Sequence, residues 1–116
     1  VCLACGSADK RQEGIFGGRL SVYDRIDLME LPYEATDEEY DSFIKEKIER
    51  RAIFLLAAYG DNVVSSEKNR SEMQKRLQER KFQVKITSQE DDGSYVYVWA
   101  TVDLSFFGDI INEDAK

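Results

Sequence analysis

One stretch, TDEEYDSFIKEKIERRAIFLLAAYG at positions 36–60, organises the rest of this chain. Thr36 and Glu39 have the spacing of a capping box, in which each side chain accepts a hydrogen bond from the other residue's backbone amide. The apolar residues that follow recur at steps of three and four and predict a helix with one apolar face: Tyr40, Ile44, Ile48, Ala52, Leu55, Leu56 and Tyr59. Because Ile53, Phe54 and Ala57 remove the polar face, we expect the last two turns to lie deep in a core and Gly60 to end the helix.

Composition limits the class of protein. The chain has 116 residues, of which 42% are hydrophobic and 34% charged, and its formal net charge is −7. This length suits one small domain with its own core. The negative charge argues against binding to nucleic acid or to anionic lipid, because both require an excess of Lys and Arg. The longest uncharged run covers only positions 93–102, and a membrane-spanning helix needs about 20 residues.

Two cysteines lie near Val1, where an initiating methionine is missing, so we expect residues upstream. Leu3-Ala4-Cys5-Gly6-Ser7 has the small residues before a cysteine, and the polar residues after it, that are typical of a bacterial lipoprotein signal, with Cys5 as the lipid attachment residue. Alternatively, Cys2 and Cys5 form a disulfide, provide half of a zinc site, or are ordinary thiols. We predict no metal site, because the chain has no histidine and no other cysteine to complete four ligands.

The first predicted strand follows a polar arm. Positions 1–18 show no apolar period and contain a small apolar patch, Ile15-Phe16, so we predict a tether. From Arg19 apolar and polar residues alternate, which predicts a half-buried strand that ends before Pro32. One face carries Leu20, Val22, Ile26 and Leu28, and the other carries Ser21, Tyr23, Arg25 and Asp27, with Asp24 as the only break.

Positions 65–80 predict a second, shorter helix that is mostly polar, with Met73 and Leu77 as its apolar anchors and a break near Asn69-Arg70 as an option. Val63-Val64 before it is interpreted as a short extended piece or a docking contact. Basic residues dominate positions 68–81. We interpret them as a solvated helix face rather than a dedicated anion site.

Two alternating segments, 82–87 and 94–104, predict a β-hairpin. A three-residue loop that ends at Gly93, in the left-handed conformation, pairs Glu90 with Ser94 and places Ile86 opposite Val98. We prefer this register to a two-residue turn because a slip by one residue would mix the apolar and polar faces.

This register places three aromatic residues and a lysine on one face of the hairpin. Because large apolar patches are seldom left bare, coverage by Ile15-Phe16, by Phe106-Phe107 or by another subunit is the first interpretation. An open surface for a partner is the second, and its candidate binding residues are Tyr95, Tyr97, Trp99 and Lys85.

The element order predicts an α+β fold with two layers: a three-stranded, mainly antiparallel sheet, a long helix packed on one face and a second shorter helix. Residues 19–111 form the predicted domain, 1–18 the arm and 112–116 a frayed acidic tail. We predict no catalytic residue, since a chain without histidine cannot form a Ser-His or Cys-His pair. No motif for a cofactor or a small-molecule substrate is present, so none is predicted.

Four segments are similar to a family of small bacterial envelope lipoproteins: Arg50-Arg51-Ala52, Leu55-Leu56-Ala57, Val63-Val64-Ser65 and Gly93-Ser94-Tyr95-Val96-Tyr97-Val98. That family combines a helix bearing arginine and alanine with a closing strand rich in tyrosine and valine after a glycine turn. The resemblance implies a non-catalytic protein associated with the outer membrane, and carries over no catalytic residue.

Our first hypothesis is therefore a binding or assembly module of the bacterial cell envelope, attached to the membrane only through lipid on Cys5, with a protein partner and no nucleic acid. A self-assembling subunit that uses the aromatic hairpin face is the second. A thiol or metal module built on Cys2 and Cys5 is the third.

Overall fold

The computed structural model describes residues 12–80 and 82–114. This part of the chain forms one antiparallel sheet of four strands in the order β1-β2-β4-β3, together with three α-helices. The strands are β1 (Gly14–Phe16), β2 (Arg19–Asp27), β3 (Val84–Asp91) and β4 (Tyr95–Asp103), and the helices are α1 (Asp37–Val63), α2 (Glu67–Gln78) and α3 (Gly108–Asp114). Short 3-10 turns cover Leu28–Glu30 and Leu104–Phe107. The predicted α+β class and antiparallel sheet are confirmed.

The predicted count of three strands is wrong, because part of the expected arm joins the sheet. Gly14–Phe16 pairs with β2, with Gly14 opposite Ser21 and Phe16 opposite Arg19. Gly17 and Gly18 make this return possible, since both have positive φ angles, of 58° and 76°, that other residues adopt only with strain. A glycine pair that looked like part of a loose tether is therefore a tight turn at the sheet edge.

Helix α1 begins as predicted and covers one face of the sheet. Both hydrogen bonds of the Thr36–Glu39 capping box are present. Ile48, Ala52 and Leu56 are fully buried against the sheet. The expectation that the last two turns are buried all round is wrong, because Phe54 is 62% exposed and Ala57 is also exposed. The sheet covers only one side of the helix, so apolar residues on the other side remain in contact with water.

Gly60 does not end α1, which continues to Val63. The glycine is buried, and a Cβ atom placed there would lie 3.3 Å from the Met73 side chain of α2. Its missing side chain thus allows the second helix to pack closely, and the predicted extended piece at Val63 belongs to α1. Helix α2 then begins after Ser66, whose side chain accepts a hydrogen bond from the Asn69 amide, and it runs without a break to Gln78.

The hairpin has a different register from the predicted one. Val84 pairs with Val102 and Ile86 with Ala100, two residues away from the predicted partners. The ladder then shifts at Thr87, so that Glu90 lies opposite Tyr97 rather than Ser94. Gly93 has the predicted positive φ, of 93°. A shift of two residues leaves Val84, Lys85 and Ile86 on their predicted faces, because the side chains of a strand alternate with a period of two. Beyond the shift at Thr87 the prediction is wrong, since Gln89 lies opposite Val98 on the inner face and Glu90 opposite Tyr97 on the outer face.

A tight hairpin end replaces the predicted loop. The Asp92 carboxylate accepts hydrogen bonds from the backbone amides of Ser94 and Tyr95, at 2.9 and 2.8 Å. The Asp92 amide in turn donates to the Tyr95 carbonyl at 3.0 Å. Because this turn consumes Asp92 to Tyr95, the first residues of β4 pair later along β3 than the sequence suggested.

One core lies between α1 and the inner face of the sheet, which is the face that α1 covers. It contains the alternate residues of β4, Val96, Val98, Ala100 and Val102, and Leu20, Val22 and Ile26 of β2. Met73 and Leu77, the predicted anchors of α2, are buried in the same cluster. Phe107 and Ile110 close it at the end of the described chain. The core therefore occupies one side of the sheet, and the opposite side is the outer face.

Candidate functional site

The predicted aromatic residues share the outer face. Tyr95, Tyr97 and Trp99 are half-buried and alternate with the fully buried Val96 and Val98 of the same strand. Strand β4 is a central strand, with β2 on one side and β3 on the other. The aromatic residues therefore lie in the middle of the outer face rather than at its edge.

Strand β2 adds two residues that the sequence analysis did not include. Tyr23 lies opposite Trp99, with ring centroids 5.1 Å apart and an angle of 44° between the rings. The Arg25 guanidinium lies 4.7 Å from the centroid of the Tyr95 ring, a cation–π contact. The alternation of β2 already placed Tyr23 and Arg25 on one face, but no local pattern shows that β2 pairs with β4.

Lys85 is on the same face but farther from the aromatic residues than predicted. It pairs with Thr101, while Ser88 occupies the position opposite Trp99. The hydroxyl of Thr87, where the ladder shifts, donates to the Trp99 carbonyl at 3.2 Å. The predicted set of Tyr95, Tyr97, Trp99 and Lys85 thus shares one face, and Tyr23 and Arg25 complete its centre. We call these six residues the aromatic face.

Tyr97 is fixed by the hairpin end. Its hydroxyl donates to a carboxylate oxygen of Asp92 at 3.1 Å. This hydrogen bond raises the pKa of Tyr97, and the amides of Tyr95 and Ser94 lower the pKa of Asp92. The phenol therefore stays neutral and the carboxylate stays charged near neutral pH, which keeps the ring oriented.

Two of the predicted covers do not lie over the centre of this face. Phe107 is 0% exposed and belongs to the core, with its ring centroid 6.3 Å from that of Phe82, so the tail interpretation is wrong for this residue. Ile15 and Phe16 are 42% and 41% exposed. Phe16 pairs with Arg19, at the end of the sheet away from Tyr95. In the described part of the chain, the fully buried apolar residues all belong to the inner core.

A cleft extends the aromatic face beyond Tyr95. Its volume is about 770 Å³, and it lies between the 3-10 turn after β2 and the hairpin end. Met29 and Tyr33 line it and are almost fully exposed. Leu28 anchors the cleft, because its amide donates to the Ser94 carbonyl at 3.0 Å. The exposed apolar surface therefore continues around the end of the sheet.

The basic residues of α2 and the turn after it are held by the chain itself. Arg76 forms two hydrogen bonds with Asp109, at 2.8 and 2.7 Å, and these lower the pKa of Asp109 to about 2. Arg80 contacts Glu46 at 2.8 Å and, together with Arg50, lowers the pKa of Glu46 to about 2. Arg76 and Arg80 are thus paired with carboxylates of the chain, and the interpretation of positions 68–81 as a solvated helix face rather than an anion site stays a prediction.

Polar residues on the inner side also join elements of the fold. Arg51 of α1 donates to Glu13 at 2.8 and 2.6 Å, and Glu13 accepts from the Tyr23 amide at 3.2 Å. The pKa of Glu13 is lowered, chiefly by the Arg51 hydrogen bond. Asp24 is the residue that broke the alternation of β2, and burial raises its pKa. Arg51 therefore connects the chain just before β1 to α1.

A second link joins α1 to the hairpin. The Tyr40 hydroxyl donates to Asp91 at 2.8 Å. Burial and this hydrogen bond together raise the pKa of Tyr40 to about 12. The phenol therefore stays neutral, so it acts as a hydrogen-bond donor in the fold rather than as a base.

The remaining predicted residues, Cys2 and Cys5, lie outside residues 12–80 and 82–114. Within those residues, no group of three His, Cys, Asp or Glu side chains is arranged to hold a metal ion. In the same part of the chain, no helix has both the length and the apolar composition needed to cross a membrane.

Comparison with known proteins leaves the aromatic face as the main guide to function. No protein-family model, no curated protein and no solved structure matches this chain.

Proposed function

We propose that this protein is a non-catalytic binding module whose aromatic face contacts a protein partner. One observation carries the proposal: Tyr23, Tyr95, Tyr97 and Trp99 lie together on the central strands, half-buried, on the side of the sheet opposite α1. Tyrosine, tryptophan and arginine are the residues most enriched at the energetic centres of protein interfaces. Arg25, stacked on Tyr95, adds the third of these types.

Charge favours a protein over a nucleic acid as the partner. Aromatic residues on a sheet also bind single-stranded nucleic acid, but such sites combine stacking with a positively charged groove. Here the charged residues on and around the outer face are Arg19, Arg25, Lys85, Asp27, Glu90, Asp92 and Asp103. These three basic and four acidic residues have a combined formal charge of −1, in a chain with a net charge of −7. Such a surface has no excess cation to replace the counterions of a phosphate backbone.

The carboxylates at the two ends of the outer face support a non-catalytic role. Asp27 and Asp103 cap the two 3-10 turns by accepting from the amides of Met29 and Ser105. Asp92 closes the hairpin end. These carboxylates are therefore occupied by backbone amides, and a general base must instead reach a proton of the substrate.

Site-specific photo-crosslinking in the native cell tests this proposal. A photoreactive phenylalanine analogue replaces Tyr97, and the matched control replaces Phe54, which is exposed on α1 away from the sheet. We expect a defined protein product from Tyr97 and none from Phe54. Peptide mass spectrometry should identify the product, and the same crosslink should form between the two purified proteins. Equal labelling at both positions, or none at Tyr97, would contradict the proposal.

We also propose that the module works in the bacterial cell envelope, held by lipid on Cys5. The support is the lipoprotein-like sequence Leu3-Ala4-Cys5-Gly6-Ser7 and the resemblance of positions 49–104 to envelope lipoproteins. Mass spectrometry of native material should find a diacylglyceryl mass on Cys5. An unmodified Cys5 with intact residues before it would exclude the anchor, and a mass two hydrogens lower would instead indicate a Cys2–Cys5 disulfide.

A further inference from the structure

The outer face carries little net charge, which favours contact between two copies of this chain there. Two proteins that each carry a net charge of −7 repel one another. The charged residues on and around the outer face sum only to −1, so −6 of the net charge lies elsewhere in the chain. A partner of the same sequence can therefore approach this face with little electrostatic cost.

Side-chain size changes from one end of the outer face to the other. Toward the hairpin end, the strands carry Tyr95, Tyr97 and Arg25. Toward the other end, the equivalent positions carry Thr101, Asp103 and Ser21, and Phe16 lies beside Arg19 at the far end. Tyr23 and Trp99 form the row between the two ends. Next to the central row, β2 and β4 thus carry large residues, Tyr97 and Arg25, on the hairpin side and small residues, Thr101 and Ser21, on the other side. We call the two sides the large-residue half and the small-residue half after these positions.

Charge changes along the same direction. On β3, Lys85 lies in the small-residue half and Glu90 in the large-residue half, on either side of Ser88. On β2, Arg19 and Asp27 mark the same two ends. Asp103 and Arg25 have the opposite signs to their halves. With Asp92 of the hairpin end included, the halves sum to +1 and −2. The face therefore has a positive half, in which β2 and β4 carry small side chains next to the central row, and a negative half, in which they carry large ones.

We propose that the partner of the aromatic face is a second copy of this chain, packed face to face with its strands antiparallel. This inference rests on the proposed function. A two-fold axis that runs across the strands, through the row of Tyr23 and Trp99, places each half of one copy over the opposite half of the other. Tyr97 of each copy then lies over the region of Thr101 in its partner, and Lys85 lies over Glu90. Such a contact is isologous and closes at two subunits.

The available area determines how strong this contact is. The nine residues of β4 extend about 30 Å at roughly 3.4 Å each. The three long strands, at a spacing of about 4.8 Å, are about 14 Å wide. Each copy thus contributes about 400 Å², and the two together roughly 800–1,000 Å². That is at the low end for a specific interface, so the expected dimer is reversible, with a Kd in the micromolar range or weaker.

Sedimentation equilibrium of the 116-residue chain from about 1 µM to 1 mM tests the proposal. The buffer should be reducing, so that Cys2 and Cys5 cannot join copies by a disulfide. We expect a monomer–dimer equilibrium. Lys85→Glu and Glu90→Lys should each raise the dimer Kd at least fivefold, because each change places like charges opposite one another twice per dimer. The double variant, Lys85→Glu with Glu90→Lys, should return the Kd to within about twofold of the parent.

Lys45→Glu is the matched control, since it makes the same charge change at an exposed position on α1. It should leave the Kd within about twofold of the parent. Circular dichroism checks that each variant is folded, since exposed substitutions of this kind change stability only slightly. A chain that stays monomeric at every concentration would overturn the proposal, and so would a double variant as weak as the single ones.

The two proposals can fail separately. If Tyr97 crosslinks to a different protein and the chain is monomeric, the aromatic face is a binding surface but the second copy is not its partner. If Tyr97 forms no crosslink in the cell, both proposals fall. A crosslinked product of twice the chain mass, from Tyr97 and not from Phe54, supports both.

Discussion

The two faces of β4 carry different side chains and meet different surroundings. On the inner face Val96, Val98 and Val102 are 0% exposed beneath α1. On the outer face Tyr95 and Tyr97 are only half-buried, because the long helix lies on the other side of the sheet. The small, branched residues serve packing, and the large residues with polar tips suit a contact that forms and breaks. A single strand thus carries the core and the candidate binding surface on alternate residues.

The largest predicted effect concerns the helix that covers the inner face. Leu56→Ala should lower the free energy of unfolding by about 2–5 kcal/mol, because Leu56 is 0% exposed and the change leaves a cavity. Urea denaturation measures this loss. Phe54→Ala removes a larger side chain from the same helix, but Phe54 is 62% exposed and contacts the Arg51 guanidinium. Its loss should stay below about 1 kcal/mol, and equal losses in the two variants would refute the assignment of the covered side.

A pair of substitutions that conserve side-chain shape compares the two faces of β4 directly. Val98→Thr places a hydroxyl in the core, where Val98 is 0% exposed, and should cost about 1–3 kcal/mol. Thr101→Val makes the reverse change on the half-buried outer face and should stay within about 0.5 kcal/mol of the parent. Thermal or urea unfolding of both variants gives the comparison. If Val98→Thr leaves the free energy of unfolding unchanged, water must reach the inner face of the sheet.

The smallest predicted effects concern two carboxyl groups, Asp24 on the inner side and Asp92 at the hairpin end, whose pKa values are shifted in opposite directions. Burial raises the pKa of Asp24 above its ordinary value of 3.8, while the amides of Tyr95 and Ser94 lower that of Asp92 below 3.8. Asp24 faces Arg51, Lys47 and Glu13 on the inner side. NMR titration of the two carboxyl groups should show these opposite shifts.

The ionisation of these two carboxyl groups should change the stability of the protein in opposite directions. The folded state holds the Asp24 proton more tightly than the unfolded state does, so ionised Asp24 lowers stability near pH 7. Asp24→Asn should therefore stabilise the protein at pH 7, and the gain should disappear below about pH 4. Asp92→Asn should destabilise it at pH 7, and this loss should shrink as pH falls through the lowered pKa of Asp92. Urea unfolding at pH 7 and pH 3 measures both, and the same sign for the two variants would contradict the assignments.

Local patterns predicted the elements but not their neighbours. The capping box at Thr36 and the spacing of Ile44, Ile48 and Ala52 predicted α1, because both are properties of one helix. Gly60 was misread as a stop, because its role depends on Met73 in another helix. A glycine can either end a helix or allow a close contact with another element, and only its packing partner distinguishes the two roles.

The candidate site shows the same division. Alternation alone placed Tyr95, Tyr97 and Trp99 on one face, since a strand turns successive side chains to opposite sides. Tyr23 and Arg25 could not be added from the sequence, because β2 and β4 are distant in the chain and become neighbours only in the sheet. The register that places Lys85 opposite Thr101 rather than Trp99 likewise depends on how the hairpin end closes.

By itself, the sequence determined the long helix, the alternating strands and the faces of the residues in β2, in β4 and in β3 before Thr87, because these follow from periodicities within short segments. The tertiary structure alone decided the fourth strand, the order of the strands, the hairpin register and the grouping of Tyr23 and Arg25 with the aromatic residues of β4. Those features depend on hydrogen bonds and packing between distant segments, and a local pattern allows several such pairings with nearly the same faces.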